Sequence, residues 1–278
     1  MNQQPDLVPA SEWDFASAST LTAALYSGKL SASELLEHTI RRIEALDTSI
    51  NAVIVRDFDR ARAAAKAADA AIARCERRPL LGIPVTLKEA FNVAGLPTTW
   101  GDPTFKDFVP KQDALVVSRL KEAGAVVIGK TNVPLGLRDF QSYNAIYGMT
   151  RNPWDFGRTP GGSSGGSGAS LACGFEPLSI GSDIGGSVRA PAHFCGVCAH
   201  KPSIGIVPLR GYNPPSAPPL PGHGDLVVAG PLARHVSDLA LALDIIAGPD
   251  EDYEGTARGT LMSHRDWLTA DGARRQMQ

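Results

Sequence analysis

The chain has 278 residues, of which 43% are apolar and 20% charged, with a formal net charge of −2, the profile of a soluble globular protein long enough for a sizeable core. So balanced a charge gives no electrostatic footprint for nucleic acid or an anionic membrane, and no apolar run approaches the roughly 18–20 residues that span a bilayer. Four cysteines are too few for a disulfide scaffold, and the opening MNQQPDLVPASEWD lacks the regions of a secretory signal, so a cytoplasmic setting is expected.

Two amphipathic helices open the chain. Ser19-Thr20 and Ser31-Ala32-Ser33-Glu34 read as caps, and Leu35, Leu36, Thr39, Ile40, Ile43 and Leu46 recur at helical spacing. Residues 57–78, rich in alanine and dotted with charge, predict a long helix closed by Pro79. The texture then changes. LLGIPVTLKEAF has a β-branched centre and predicts a strand ending near Lys88. Residues 113–123 read as a helix and GAVVIGKT (124–131) as a buried strand. PLSIGS is a further short apolar run, standing before the glycine cluster SDIGGSVRAP. Pro-rich residues 214–221 form a loop, and 236–247 reads as a helix. Strands alternating with helices predict an α/β fold with a mixed, mostly parallel central sheet flanked by helices. The expected organisation is a helical layer over 1–79, a core over 80–250 and a tail over 251–278.

Two motifs are decoys. Residues 124–131 match the phosphate-loop pattern GxxxxGK[ST], but Ala125, Val126, Val127 and Ile128 favour a straight strand over a loop that turns its amides inward. Cys195 and Cys198 form a CxxC near His193 and His200, yet Cys75 and Cys173 supply no second ligand pair for zinc. No metal or cofactor is expected.

Three local features remain. Lys88 closes an apolar stretch where burial would favour its neutral, basic form. Ile184-Gly185-Gly186-Ser187 places consecutive amides where they can converge on one oxygen, with a serine at the end of the turn. Residues 158–170, RTPGGSSGGSGAS, have the composition of a flexible linker. Each feature alone also fits a plain reading, as an exposed lysine, a tight turn or a linker.

Together, GIPVTLKEAFNVAG, GKTNVP, YGMTRNPWD, GRTPGGSSGGSGAS, GSDIGGSVRAPAHFCGV and HKPSIGIVP resemble the amidase signature family over roughly residues 80–250, in the family's order. The resemblance implies hydrolysis or transfer of a carboxamide group by a Ser–cis-Ser–Lys triad on a mixed α/β fold. Matched residue by residue, the lysine after IPVT is Lys88, the nucleophile in GGSxR is Ser187, and the bridging serine, preceded by a cis peptide, is Ser163. Gly161, Gly162, Gly165 and Gly166 then permit an unusual backbone path, which makes the segment a catalytic element and not a linker. The resemblance further implies an oxyanion hole from Ile184, Gly185, Gly186 and Ser187, with Asp183 and Arg189 orienting it. It places Leu137 against the acyl pocket and Ser164 as a structural hydrogen-bonder. The implied substrate is a small-molecule amide.

The likeness runs through LALALDIIAGPD and fails near Tyr253, and SHRDWLTADGARRQ resembles a helix that the family places well downstream. An incomplete sheet is therefore expected to self-associate, as a homo-oligomer or an aggregate, with little turnover. Two alternatives to a stand-alone amidase stay open: a glutaminase-like subunit of a multi-subunit tRNA-dependent amidotransferase, and an inactive truncated remnant.

Overall fold

Six strands form one sheet, and their burial explains the apolar runs of the sequence. In this computed structural model the described residues are 11–215, 217 and 226–250; the tail over 251–278 and most of the Pro-rich segment lie outside them. The strands are β1 (Val53–Arg56), β2 (Pro84–Lys88), β3 (Val126–Thr131), the two-residue hairpin partners β4 (Tyr143–Asn144) and β5 (Gly148–Met149), then β6 (Leu178–Asp183), β7 (Cys198–Ala199) and β8 (Val228–Ala233). The main sheet has the order β1-β3-β2-β6-β8-β7. β2 is parallel to β3 and to β6, whereas β1–β3, β6–β8 and β7–β8 are antiparallel. Four strands therefore run one way and two the other: the sheet is mixed and mostly parallel. Every residue of β2, β3, β6 and β8 is buried, as strands covered on both faces require.

The helices are α1 (Ala18–Tyr26), α2 (Ala32–Ile50), α3 (Phe58–Ala73), α4 (Leu115–Glu122), α5 (Gly165–Ala172), α6 (Arg189–Cys195) and α7 (Val236–Ile246). Ser31 and Glu34 form a reciprocal capping box on α2. The cap of α1 is Ser17 and not Ser19-Thr20: Ser17 has the extended backbone of a cap, and its Oγ accepts from Thr20 N. α3 stops five residues short of Arg78, because Cys75 turns left-handed at φ 62° and the Tyr26 hydroxyl fastens Arg78 through both its N–H and its carbonyl. One hydrophobic cluster runs from Ala18 and Leu21 through Ile40, Ile83, Leu87, Ile128 and Ile180 to Ile246.

The serine- and glycine-rich segment becomes helix α5 directly after Ser164, although glycine is a poor helix former. Packing supplies the reason. A Cβ on Gly166 would stand 2.3 Å from Asn132 N, so only a glycine lets α5 lie against the end of β3. Beneath α5 the sheet is polar. Thr131 Oγ1 lies 2.7 Å from Ser167 Oγ, Ser179 Oγ donates to Ser167 Oγ (2.8 Å), and Thr86 Oγ1 reaches Ser179 Oγ and Glu176 Oε1, both at 2.9 Å. Ser170 Oγ also donates to Glu176 Oε1 (2.6 Å). Burial pushes the Glu176 carboxyl up to about 7.

The phosphate-loop match is strand β3, with Gly129 at a bulge where a Cβ would lie 2.2 Å from Val55 O. Cys195 Sγ donates to Pro160 O and Cys198 Sγ to Arg234 O, and all four cysteines are free. Among the described residues, no His, Cys, Asp or Glu cluster is placed to hold a metal ion, and no helix is long and apolar enough to cross a membrane.

Candidate active site

Lys88 ends β2, and Ser182 and Asp183 end β6, so adjacent parallel strands deliver all three to one carboxyl-terminal edge of the sheet, where open α/β sheets bind ligands. Lys88 is 0% exposed. Its Nζ donates to Ser163 Oγ at 2.6 Å and to Ser182 Oγ at 2.9 Å, with Ser182 O at 3.5 Å. Burial pulls the Lys88 ammonium down to about 7, against the opposing charge of Asp183. Near neutral pH a large share of Lys88 is therefore a free amine able to take a proton.

Ser163 stands at the entrance to α5 after a cis Gly162–Ser163 peptide bond. Ser142, which no motif marks, pins both sides of this turn: its Oγ donates to Gly161 O (3.1 Å) and accepts from Gly165 N (3.0 Å). The backbone of residues 139–141 packs so closely that a Cβ on Gly162 would stand 2.6 Å from Asp139 O. The glycines are contact positions.

The turn 184–188 is organised by Asp183. Its carboxylate accepts from Gly186 N (2.8 Å), Val188 N (3.0 Å), Arg189 Nε (3.1 Å) and Arg189 Nη2 (2.9 Å). Burial alone would raise this carboxyl, but the hydrogen bonds from Arg189, Val188 and Gly186 outweigh it and hold it below the usual range. Gly186 N–H is thereby engaged, which leaves the Ile184, Gly185 and Ser187 amides without a partner among the described residues. Ser187 is half-buried and its carbonyl accepts from Ser164 N (3.1 Å). The Phe140 ring lies 3.3 Å from where a Gly186 Cβ would stand, over the turn.

The fold thus ties Lys88, Ser163, Ser164, Asp183, Ser187 and Arg189 into one neighbourhood, with Ser164 Oγ donating to Ser182 O at 3.4 Å. Among the described residues no hydrogen bond joins Ser163 Oγ to Ser187 Oγ; contacts of this kind often close only with substrate bound. Leu137 stands outside the hydrogen-bonded group, half-buried at the end of the turn Leu135–Leu137 with φ 60°. Ser182 and Tyr212 are additions: Ser182 lies within GSDIGGSVRAP but the motif assigns it no role, and Tyr212 falls in no motif. Tyr212 OH lies 2.7 Å from Ser182 Oγ. A second buried lysine, Lys130, donates to Pro97 O and Thr98 Oγ1. Burial pulls it down to about 8 against the charge of Glu89, and Glu89 is itself held by Thr99 N and Trp100 N. This pair is satisfied by its own strand and loop.

The amidase family model matches residues 34–265. The chain belongs to the amidase signature family. It is 43% identical to a glutamyl-tRNA(Gln) amidotransferase subunit of Anaeromyxobacter sp. (strain K) over 264 residues, 89% of this chain and 52% of that protein. It is equally 43% identical, over 247 residues, to AmiB2 of Mycobacterium bovis, a protein named for the amidase class, covering 87% of this chain and 52% of the relative. The solved structure of a bacterial aryl acylamidase of the same family superposes with a TM-score of 0.82 at 32% identity, covering 90% of this chain and 51% of that one. This chain therefore spans about half the length of the relatives it matches.

Proposed function

We propose that the chain hydrolyses a carboxamide bond of a small molecule through an acyl-enzyme on Ser187. The observation that carries this reading is a fully buried lysine, depressed to about 7, whose amine meets Ser163 at 2.6 Å beside the Ser187 turn. Neutral Lys88 takes the proton of Ser163 as Ser163 takes that of Ser187, and Ser187 Oγ adds to the amide carbon. The carbonyl oxygen becomes an oxyanion facing the Ile184, Gly185 and Ser187 amides, Gly186 N–H being held by Asp183. Collapse breaks the C–N bond, with the proton returned through Ser163 to the departing ammonia or amine. Water then enters by the same relay and releases the carboxylic acid. Asp183 and Arg189 act by holding the turn, Ser164 by anchoring Ser187 through its carbonyl, and Leu137 by lining the acyl side. The four free cysteines support a reducing, cytoplasmic location.

A fluorophosphonate probe tests the reading. Modification mapped to Ser187, abolished in Ser187→Ala and strongly slowed in Lys88→Ala, is the expected result. Unimpaired labelling of Lys88→Ala overturns the assignment of the base, and no labelling of the parent chain favours an inactive remnant. The equal identity to a tRNA-dependent amidotransferase component supports a second reading, a glutaminase-like subunit. Co-purifying partner chains, together with ammonia release from glutamine only in their presence, would select it.

A further inference from the structure

A neutral lysine amine has one lone pair and two N–H donors. For Lys88 to serve as base toward Ser163, the lone pair must face Ser163 Oγ and the N–H groups need acceptors elsewhere. Ser182 offers both, Oγ at 2.9 Å and its carbonyl at 3.5 Å. Ser182 Oγ accepts from Lys88 only while its own proton points away. Turned inward, that proton would enter the Lys88 lone pair and compete with Ser163. The group placed to receive it is the Tyr212 hydroxyl, 2.7 Å from Ser182 Oγ. Tyr212 is 5% exposed, its ring set against Phe91 and Trp100 at 4.9 and 5.0 Å, and its N–H donates to Leu209 O. The ring that carries the hydroxyl is thus held by two aromatic contacts, and its backbone by one hydrogen bond.

We propose that Tyr212 is a positioning residue: its hydroxyl accepts from Ser182, fixes Ser182 Oγ as an acceptor for Lys88, and so keeps the Lys88 lone pair directed at Ser163. The proposal rests on the acyl-enzyme reading above. The charged group facing Lys88 from β6 is Asp183, itself paired with Arg189 from α6. From the entrance of α5 the Ser163 hydroxyl reaches Lys88, while Ser164 Oγ is turned to the Ser182 backbone; from the 209–212 turn Tyr212 reaches Ser182, and Arg210 pairs with Asp250. Glu89, next in the chain, is turned to the Thr99 and Trp100 amides, with Lys130 as its opposing charge.

Tyr212→Phe removes the hydroxyl and keeps the ring. Ser182 O–H then turns to Lys88 and stabilises the neutral amine. In lysine-13C-labelled protein, with the Lys88 signal assigned by its loss in Lys88→Met, the titration midpoint of Lys88 is expected to fall by about 0.5–1 pH unit. The plateau rate of Ser187 labelling by the fluorophosphonate is expected to fall about tenfold. Ser182→Ala should lower the midpoint likewise, Tyr212→Phe should add nothing in that background, and Ser182→Thr should restore the parent value. A purely packing role would slow labelling and leave the midpoint in place. An unmoved Lys88 midpoint in Tyr212→Phe overturns the proposal. The titration needs no turnover, so unimpaired labelling of Lys88→Ala would separately overturn the assignment of Lys88 as the base.

Discussion

Replacing Lys88 by Met keeps the volume of the side chain and removes its charge, which converts the burial of Lys88 into a pH-dependent difference in stability. The unfolded lysine titrates near 10.5 and the folded one near 7. Below pH 7 both states hold the proton, and the folded state carries the whole cost of a buried ammonium. Between pH 7 and 10.5 the unfolded state binds more protons, so the stability of the parent protein rises with pH. At about 1.4 kcal/mol per pH unit, the gap between 10.5 and about 7 corresponds to about 5 kcal/mol. About 3 kcal/mol of this falls between pH 7 and 9.5. Lys88→Met lacks the titration, while Lys130, pulled to about 8, is common to both proteins and cancels in the difference. Urea unfolding of parent and variant at half-unit intervals from pH 6 to 9.5 gives the curve. The variant should be favoured most at pH 6–7 and lose its relative advantage steadily above. Two parallel curves would refute the argument, since they would mean that Lys88 titrates alike folded and unfolded.

Among the serines, Ser187→Ala should abolish fluorophosphonate labelling and Ser163→Ala should slow it by at least about 100-fold. Ser164→Ala should be mild, and mass spectrometry of the intact chain would rank the three. Gly166→Ala should destabilise by about 3 kcal/mol or more, because its Cβ would meet the Asn132 N and Ala52 O backbone atoms at 2.3 and 2.9 Å. Gly185→Ala meets nothing within 4 Å and should melt within a few degrees of the parent. Glu176→Gln should behave oppositely to Lys88→Met: the carboxyl is raised from 4.5 to about 7, so the parent loses stability as pH climbs between those values. The variant should gain on it there and hold a constant lead above, as read by urea titration at pH 4.5–8.

How much of this was legible depended on the kind of constraint. β2, β3 and β6 announce themselves because strands buried on both faces must be apolar, and Lys88 stands out as the charge at the end of one. The four residues of β1 are an antiparallel edge, with Val53 and Val55 buried and Ile54 and Arg56 less so, too short for alternation to register. α5 was hidden by its own composition: glycine argues against helix locally, and only the approach to Asn132 reverses that preference. The Lys88, Ser163, Asp183 and Ser187 positions could be named because family motifs carry them in fixed local patterns. Ser142 and Tyr212 lie outside those motifs, and Ser182, although inside one, carries no local sign of its contact with Lys88. Their contacts run across 23, 94 and 30 residues of sequence, and a tyrosine after a glycine has no local signature of a hydroxyl that meets a buried serine.

The hydroxyls beneath α5 constrain how this protein can change. Thr131, Ser167, Ser179, Thr86 and Ser170 share donors and acceptors with one another and with Glu176. Removing a single member strands its neighbour's hydrogen-bonding group in a dry interior, whereas replacing several together by apolar side chains of matching shape avoids that penalty. Sequence drift at these positions should therefore be concerted. One-at-a-time mutational scans would score each as intolerant, and a library that randomises all of them at once would recover folded cores that no stepwise path through single substitutions reaches.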